Sequence, residues 1–155
     1  MVTDHDPWIG VEPWLRITSP DACASVRQLL PSPGLTFTAW LSGHRMRDSD
    51  GLLLQFFDEF RLPDYFGWNF PALNDCLRDL SWLPAEHYVL VIDEAHELLV
   101  DEPEALPEFF DMLLRTGQEW SRVERVDGSS QARFRTILTC DGPGVARLQS
   151  AASKT

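Results

Sequence analysis

The sequence predicts a single α/β domain. It should have a small, mainly parallel sheet of three strands packed by helices in two or three layers, with a fourth, N-terminal strand left open. Strand-like and helix-like segments alternate along the chain, which favours parallel pairing. Residues 88–93 form an almost continuous apolar run, typical of a strand buried on both faces. The chain has 155 residues, 44% of them hydrophobic, which is enough for one substantial core.

The first part of the chain predicts an extension of the main domain. Residues 1–13 look irregular because they contain two prolines, and residues 14–18 have the composition of a short strand. Ser19 followed by Pro20 is a typical helix start, so we expect a helix to about residue 30. Prolines and a glycine at 31–34 then end it. We therefore assign residues 1–34 to an N-terminal extension packed on a main domain of residues 35–147.

The main domain begins with a predicted strand at 35–41, rich in β-branched and aromatic residues. Asp48 or Ser49 should cap a helix whose apolar positions have helical spacing; these are Leu53, Phe56, Phe57 and Phe60. Further elements are a strand at 88–93, an amphipathic helix at 106–122 and a last strand at 134–139. Residues 141–144, Asp-Gly-Pro-Gly, are expected to terminate this last strand, and a disordered tail is expected at 148–155.

Charge limits the partners of this protein. Its 24 acidic and 13 basic residues give a net charge of −11, which disfavours direct contact with nucleic acid or an anionic membrane and suits a basic protein. Cys23, Cys76 and Cys140 have no metal or redox spacing, and we find no signal peptide or membrane span. We expect a cytoplasmic protein with free thiols, no cofactor, no bound metal and no catalytic residues, monomeric when free.

Residues 62–84 carry the most informative pattern. Asn69 should cap a helix to about residue 80, and its side chain should accept from the Ala72 N–H because Pro71 has none. One face of this helix is apolar and expected in the core: Leu73, Cys76, Leu77 and Leu80. The other should face solvent: Pro71, Asn74, Asp75, Arg78 and Asp79. Just upstream, Tyr65, Phe66 and Trp68 surround Gly67, where we expect a turn with positive φ. Aromatic side chains beside exposed carboxylates are typical of protein-binding hot spots.

This stretch resembles the barstar family of intracellular ribonuclease inhibitors. The shared pattern is Leu-Pro-acidic-Tyr-aromatic-Gly-x-Asn, followed by x-x-Ala-Leu-x-Asp-Cys-Leu, and it runs here from Leu62 to Leu77. By element order the resemblance covers about two-thirds of the chain, and it implies a 1:1 complex with a basic, secreted, guanyl-type ribonuclease. It also implies that Asp75 sits among the cationic groups of the nuclease and that Tyr65 covers its active site. The resemblance further implies that Gly67, Asn69 and Phe70 shape the contact surface. We expect their neighbours on this surface to contact the partner as well: Trp68, Asn74, Arg78 and Asp79.

The chain also departs from the barstar pattern. Pro71 replaces an acid one helical turn before Asp75, Asn74 replaces a tryptophan, and Trp68 replaces an acid after the loop glycine. A glutamate that the family supplies from a later helix falls in register with Arg115, near Glu108 and Asp111. These changes keep the inhibitory mode but favour a nuclease related only broadly to barnase.

Two alternatives remain beside the inhibitor interpretation, and a third, an ATPase, lacks its phosphate-binding element. Asp93-Glu-Ala-His96 after an apolar strand resembles the Walker B element of ATPases, but the chain has no phosphate-binding Gly-Lys loop. Asp93, Glu94 and His96 could serve a metal-dependent hydrolase at a strand end. A barstar-like module could also have been recruited to bind another basic protein, such as a toxin that it neutralises as an immunity protein.

Overall fold

A computed structural model describes residues 9–12, 15–18, 36–85, 87–121 and 134–153. The strands are β1 (Ile9–Glu12), β2 (Leu15–Thr18), β3 (Thr36–Ser42), β4 (His87–Asp93) and β5 (Phe134–Thr139). The α-helices are α1 (Ser49–Glu59), α2 (Phe70–Asp79), α3 (Leu106–Ser121) and α4 (Gly142–Ser153). The helix predicted for residues 19–30 lies outside the described residues. Within the described part, no helix is long and apolar enough to cross a membrane.

The strands form one five-stranded sheet in the order β1-β2-β5-β4-β3, parallel except for the antiparallel pair β1–β2. This confirms the α/β class and the three predicted strands of the main domain. The possible fourth strand predicted at residues 14–18 is present as β2. The expectation of irregular chain at Ile9–Glu12 is wrong, because these residues form an edge strand that pairs antiparallel with β2. Part of the predicted extension therefore belongs to the main sheet.

Strand β4 is buried on both faces, as predicted. Leu90 and Ile92 point into the large core with α1, α2 and α3, where Phe56 and Phe109 are fully buried. A smaller apolar cluster occupies the opposite face of the sheet: Val89, Val91 and Ile137, with Trp40 packed against them. The alternation follows from the two-residue period of a strand, and burial on both faces explains the unbroken apolar run.

The C-terminal segment corrects the sequence prediction. The last strand ends before residues 141–144, as predicted, but these residues also begin α4, and residues 148–153 of the predicted disordered tail form its second half. Asp141 accepts from the Gly144 N–H at 2.8 Å, and Pro143 occupies the first turn, where it needs no hydrogen bond. Leu148 is fully buried. Arg147 donates to the Leu98 carbonyl at 2.8 Å, and burial lowers the pKa of its guanidinium. Tertiary contacts thus stabilise a segment that looks like a terminator in sequence.

The two described cysteines, Cys76 and Cys140, are buried free thiols. Burial raises the pKa of the Cys140 thiol from 9.0 to about 11, with a smaller contribution from Asp141. We expect Cys140 of the folded protein to be alkylated by iodoacetamide at pH 8 roughly 100-fold more slowly than in urea, because its thiolate is that much rarer. Mass spectrometry of time points would measure this ratio. Equal rates in both states would contradict the buried position.

The same shift predicts a loss of stability in alkali. The folded protein keeps the Cys140 proton above pH 9.0, where the unfolded chain begins to lose it, because the pKa of the folded thiol is about 11. The unfolded state then binds fewer protons, so the free energy of unfolding falls as the pH rises from 9 to 11. Urea unfolding across this range, with Cys140→Ala as the comparison, would show a smaller decline in the variant.

Candidate protein-binding site

The loop between α1 and α2 projects Tyr65 into solvent. The Phe66 N–H donates to the Pro63 carbonyl at 3.0 Å and closes a turn, while Leu62 and Phe66 are buried and fix its two ends. Tyr65 lies at the tip, with 74% of its surface exposed. Leu54, Tyr65 and Trp68 are the exposed large apolar side chains among the described residues. Two of the three therefore lie in this one loop, and such clustering marks an interaction surface.

Trp68 sits on an aromatic platform, defined here as the rings of Phe57, Phe66 and Trp68. The centroid of the Trp68 ring lies 5.0 Å from that of Phe57, in a stacked arrangement, and 5.1 Å from that of Phe66. The sequence missed the role of Phe57, which was assigned only to the apolar side of its helix. The signal was present, since Phe56 and Phe57 are adjacent and a helix turns 100° per residue. The two rings cannot face the same part of the core.

The positive backbone angle expected at Gly67 belongs to Trp68, with φ 57°. Gly67 is outside the left-handed region, and a Cβ there would lie 3.3 Å from the Cβ of Ala72. Gly67 thus allows the loop to approach the first turn of α2. The left-handed conformation of a tryptophan costs about 1–2 kcal/mol, and stacking on Phe57 and Phe66 offsets this cost.

Asn69 caps α2 as predicted. Its side-chain oxygen accepts from the Ala72 N–H at 2.7 Å, and its extended backbone is typical of an N-cap. The helix begins at Phe70, so Pro71 lies in the first turn, where its missing N–H leaves no hydrogen bond unmade. The cap therefore sets where the loop ends and how α2 leaves it.

Replacing Asn69 with alanine should lower the free energy of unfolding by about 1 kcal/mol, because the Ala72 N–H loses its acceptor. Urea unfolding followed by circular dichroism would measure the loss. Asn69→Asp is the matched control, since it keeps an acceptor at the cap, and should stay close to the parent protein. An alanine variant as stable as the parent would show that the cap contributes nothing.

The exposed face of α2 presents Asp75. Its side chain is 73% exposed, and Arg78 one turn further on donates to Oδ1 at 2.9 Å. Asp79 is also exposed. The opposite face is core, as predicted: Leu73, Cys76, Leu77 and Leu80 are all buried. Burial, with smaller contributions from Asp75 and Asp79, raises the pKa of the Cys76 thiol. This cysteine supports the helix from inside and is not a contact residue.

Two of the predicted partner-contact residues are not on the exposed surface of the loop and α2. Phe70 is 9% exposed, and its ring packs 6.1 Å from Phe109, so it belongs to the core. Asn74, expected to face solvent, is half-buried because its side-chain oxygen accepts from the Thr116 hydroxyl of α3 at 3.2 Å. Pattern alone missed both contacts, since each depends on where α3 packs.

Helix α3 is hydrogen-bonded to α2 at two points. Trp120 donates its indole N–H to the Leu77 carbonyl at 2.8 Å, in addition to the bond from Thr116 to Asn74. Arg115, next to Thr116, is exposed and forms an ion pair with Asp111 at 2.9 Å. At the position in register with the family's glutamate, this chain therefore carries a cation already paired with an acid of its own helix.

The residues considered for a metal-dependent hydrolase are not gathered into one site. Asp93 accepts from the Thr139 hydroxyl at 2.8 Å, and His96 lies 4.0 Å from Asp141. Among the described residues a different trio approaches metal-binding distance, with ligand atoms within 4.8 Å: His44, Glu94 and Glu97.

The Glu97 carboxylate of this trio already has two side-chain partners within the chain. Its carboxylate is contacted by His44 Nδ1 at 3.1 Å and Arg47 Nη1 at 2.9 Å. The hydrogen bond from His44 is the main cause that lowers the pKa of the Glu97 carboxyl. The trio is therefore adequately explained as a surface ion-pair network.

The fold and this surface together define a small acidic α/β domain that exposes an aromatic loop and a carboxylate on a rigid helix, the features of a protein-binding domain. A family model described as Barstar (barnase inhibitor) matches residues 36–137. The chain belongs to the barstar family. The match includes the loop and α2, so the resemblance carried by residues 62–77 is confirmed. The family is one of inhibitors and not of enzymes.

Other comparisons bear on the fold alone. Two structures of the Aeropyrum pernix ORC2 protein, one with ADPNP and ADP and one with ADP, share 14% sequence identity with this chain. The TM-scores are 0.50 and 0.52, and each alignment covers 86% of this chain. The chain spans about a third of those proteins, 33% and 32% of their lengths. No curated protein matches the sequence.

Proposed function

We propose that this protein inhibits a small, basic, secreted ribonuclease of the guanyl type by occupying its active site in a 1:1 complex. The observation that carries the proposal is the exposed Asp75 on a helix held from behind, next to exposed Tyr65 and Trp68. These residues lie within the segment matched by the barstar family model. Arg78 and Asp79 complete the exposed face, while Gly67 and Asn69 shape the loop.

The proposed mechanism is mimicry of the substrate phosphate. A ribonuclease active site gathers arginine, lysine and histidine to bind phosphate oxygens, and a carboxylate accepts the same charge-assisted hydrogen bonds. Asp75 supplies that carboxylate, and Tyr65 covers the site and excludes water. The inhibitor itself needs neither metal nor cofactor for this step.

Rigidity and charge both support tight binding. Helix α2 is capped by Asn69 and bonded to α3 through Trp120, so little conformational entropy is lost on binding. The net charge of −11 should steer the protein toward a basic enzyme, and the association rate should fall as salt increases.

The decisive experiment titrates this protein against a panel of secreted guanyl-type ribonucleases, with residual RNA cleavage as the readout at low and moderate salt. We expect activity of at least one enzyme to fall sharply at a 1:1 ratio. Absence of inhibition at micromolar protein would reject the proposed function and leave the family assignment intact.

A second candidate function is neutralisation of a different basic protein, such as a toxin, by the same surface. The observation favouring it is that Asn74, where the family has a tryptophan, turns toward Thr116 and leaves the exposed face. Pro71 likewise removes an acid from the first turn. Capture of a basic protein without ribonuclease activity on immobilised inhibitor, abolished by Asp75→Asn, would select this candidate.

Action in the cytoplasm as a free monomer completes the proposal. The buried free thiols Cys76 and Cys140 suit a reducing compartment. Cell fractionation with an antibody against the protein, and light scattering of the purified chain, would test location and oligomeric state separately.

A further inference from the structure

We propose that Trp68 is a preformed subsite for an arginine side chain of the partner protein, next to the subsite of Asp75. The inference rests on the proposed function in that the arginine belongs to the inhibited protein. It adds a second, chemically different contact, because a guanidinium stacks on an indole face through its π system.

The geometry of Trp68 supports such a subsite. The ring is supported by Phe57 at 5.0 Å and by Phe66 at 5.1 Å, yet 47% of the residue remains exposed. Its backbone adopts the left-handed conformation at φ 57°, and the neighbouring rings hold it there. The indole is thus presented to solvent in one orientation before any partner arrives, which lowers the entropic cost of stacking.

Charge identifies the occupant. Segment 57–79 exposes five acidic residues and two basic ones: Asp58, Glu59, Asp64, Asp75 and Asp79 against Arg61 and Arg78. A partner surface complementary to this segment must be cationic. Trp68 directly precedes Asn69, the cap of α2. Asp75 lies about 7.5 Å along the helix axis from Phe70, the first residue of α2. An active site rich in arginine can therefore place one guanidinium on the carboxylate and another on the indole.

The first test uses small probes and does not require a known partner. Nuclear magnetic resonance would follow the indole N–H signals during titration with N-acetyl-arginine amide and with N-acetyl-citrulline amide, at matched ionic strength. Citrulline has the shape of arginine without its charge. Trp68→Phe assigns the Trp68 signal, and Trp82 and Trp120, whose indoles donate to backbone carbonyls, serve as internal controls.

We expect the arginine probe to shift the Trp68 signal with an affinity about 2- to 5-fold above that of citrulline, with the two control signals unmoved. Equal shifts from both probes, or no movement of the Trp68 signal, would overturn the inference. A shift produced instead by single-stranded oligouridine would also overturn it, because the indole would then be a base-stacking surface.

The second test uses any ribonuclease that the protein inhibits. Trp68→Phe keeps an aromatic face and should change the inhibition constant by less than about 3-fold, whereas Trp68→Leu should raise it about 5- to 30-fold. Equal effects of the two variants would overturn the inference. If no ribonuclease is inhibited while the Trp68 signal still prefers arginine, the proposed function fails and the subsite stands. If a ribonuclease is inhibited but the Trp68 signal shows no preference for arginine, the subsite is overturned and the proposed function stands.

Discussion

Replacing Asp75 with asparagine should raise the inhibition constant of this protein against its ribonuclease by roughly two to four orders of magnitude. Asparagine keeps the shape of the side chain but removes its charge. The cations of the nuclease would then be buried without their counterion, and breaking a buried ion pair in this way costs about 3–5 kcal/mol. The inhibition constant from steady-state RNA cleavage measures the effect.

The stability of the Asp75→Asn variant should remain near that of the parent, because the Arg78–Asp75 pair is exposed and such pairs contribute about 0–1 kcal/mol. Asp101→Asn is the matched control, since it makes the same change in net charge at a carboxylate paired with Arg47. It should alter only the salt-dependent association rate. A loss of binding below about 1 kcal/mol for Asp75→Asn would place this carboxylate at the rim of the interface.

The largest stability effect is expected for Phe109→Ala. Phe109 is fully buried in α3, and its ring lies 5.9 Å from Phe56 of α1 and 6.1 Å from Phe70 at the start of α2. Truncation removes the ring that joins the three helices and leaves a cavity, at a cost of about 3–5 kcal/mol. Urea unfolding should show a midpoint shifted accordingly, with a lower melting temperature.

Tyr65→Ala provides the complementary comparison. It also removes an aromatic ring, but Tyr65 is 74% exposed, so stability should change by less than about 0.5 kcal/mol. Binding should respond in the opposite sense, with Tyr65→Ala weakening inhibition and folded Phe109→Ala protein retaining it. A Phe109→Ala variant as stable as the parent would contradict the central position of this ring.

Local chemistry explains which parts of the fold could be predicted. The Asn69 cap, the buried strand His87–Asp93 and the apolar face of α2 each depend on neighbouring residues in the chain, and each is present in the structure. The disordered tail predicted for residues 148–155 is wrong for residues 148–153, which belong to the last helix. Asp141 and Pro143 are as good a helix start as a strand end, and only the burial of Leu148 decides between the two readings.

The candidate site likewise contains features that sequence could predict and features that depend on distant residues. The exposure of Asp75 follows from helical periodicity, and the family resemblance implied a surface position for Tyr65; both side chains are exposed. The direction of Asn74 and the burial of Phe70 depend on where Thr116 and Phe109 lie, more than 35 residues away in the chain.

By itself, the sequence determined the α/β class, the family segment and the exposed position of Asp75, because periodicity, capping and a shared motif are properties of adjacent residues. Only the tertiary structure decided that Ile9–Glu12 joins the sheet, that the last helix exists and that Trp68 takes a left-handed conformation on Phe57. Pairing between distant strands and ring stacking between a loop and a helix are free-energy terms between residues apart in the chain. They become readable only when packing brings those residues together.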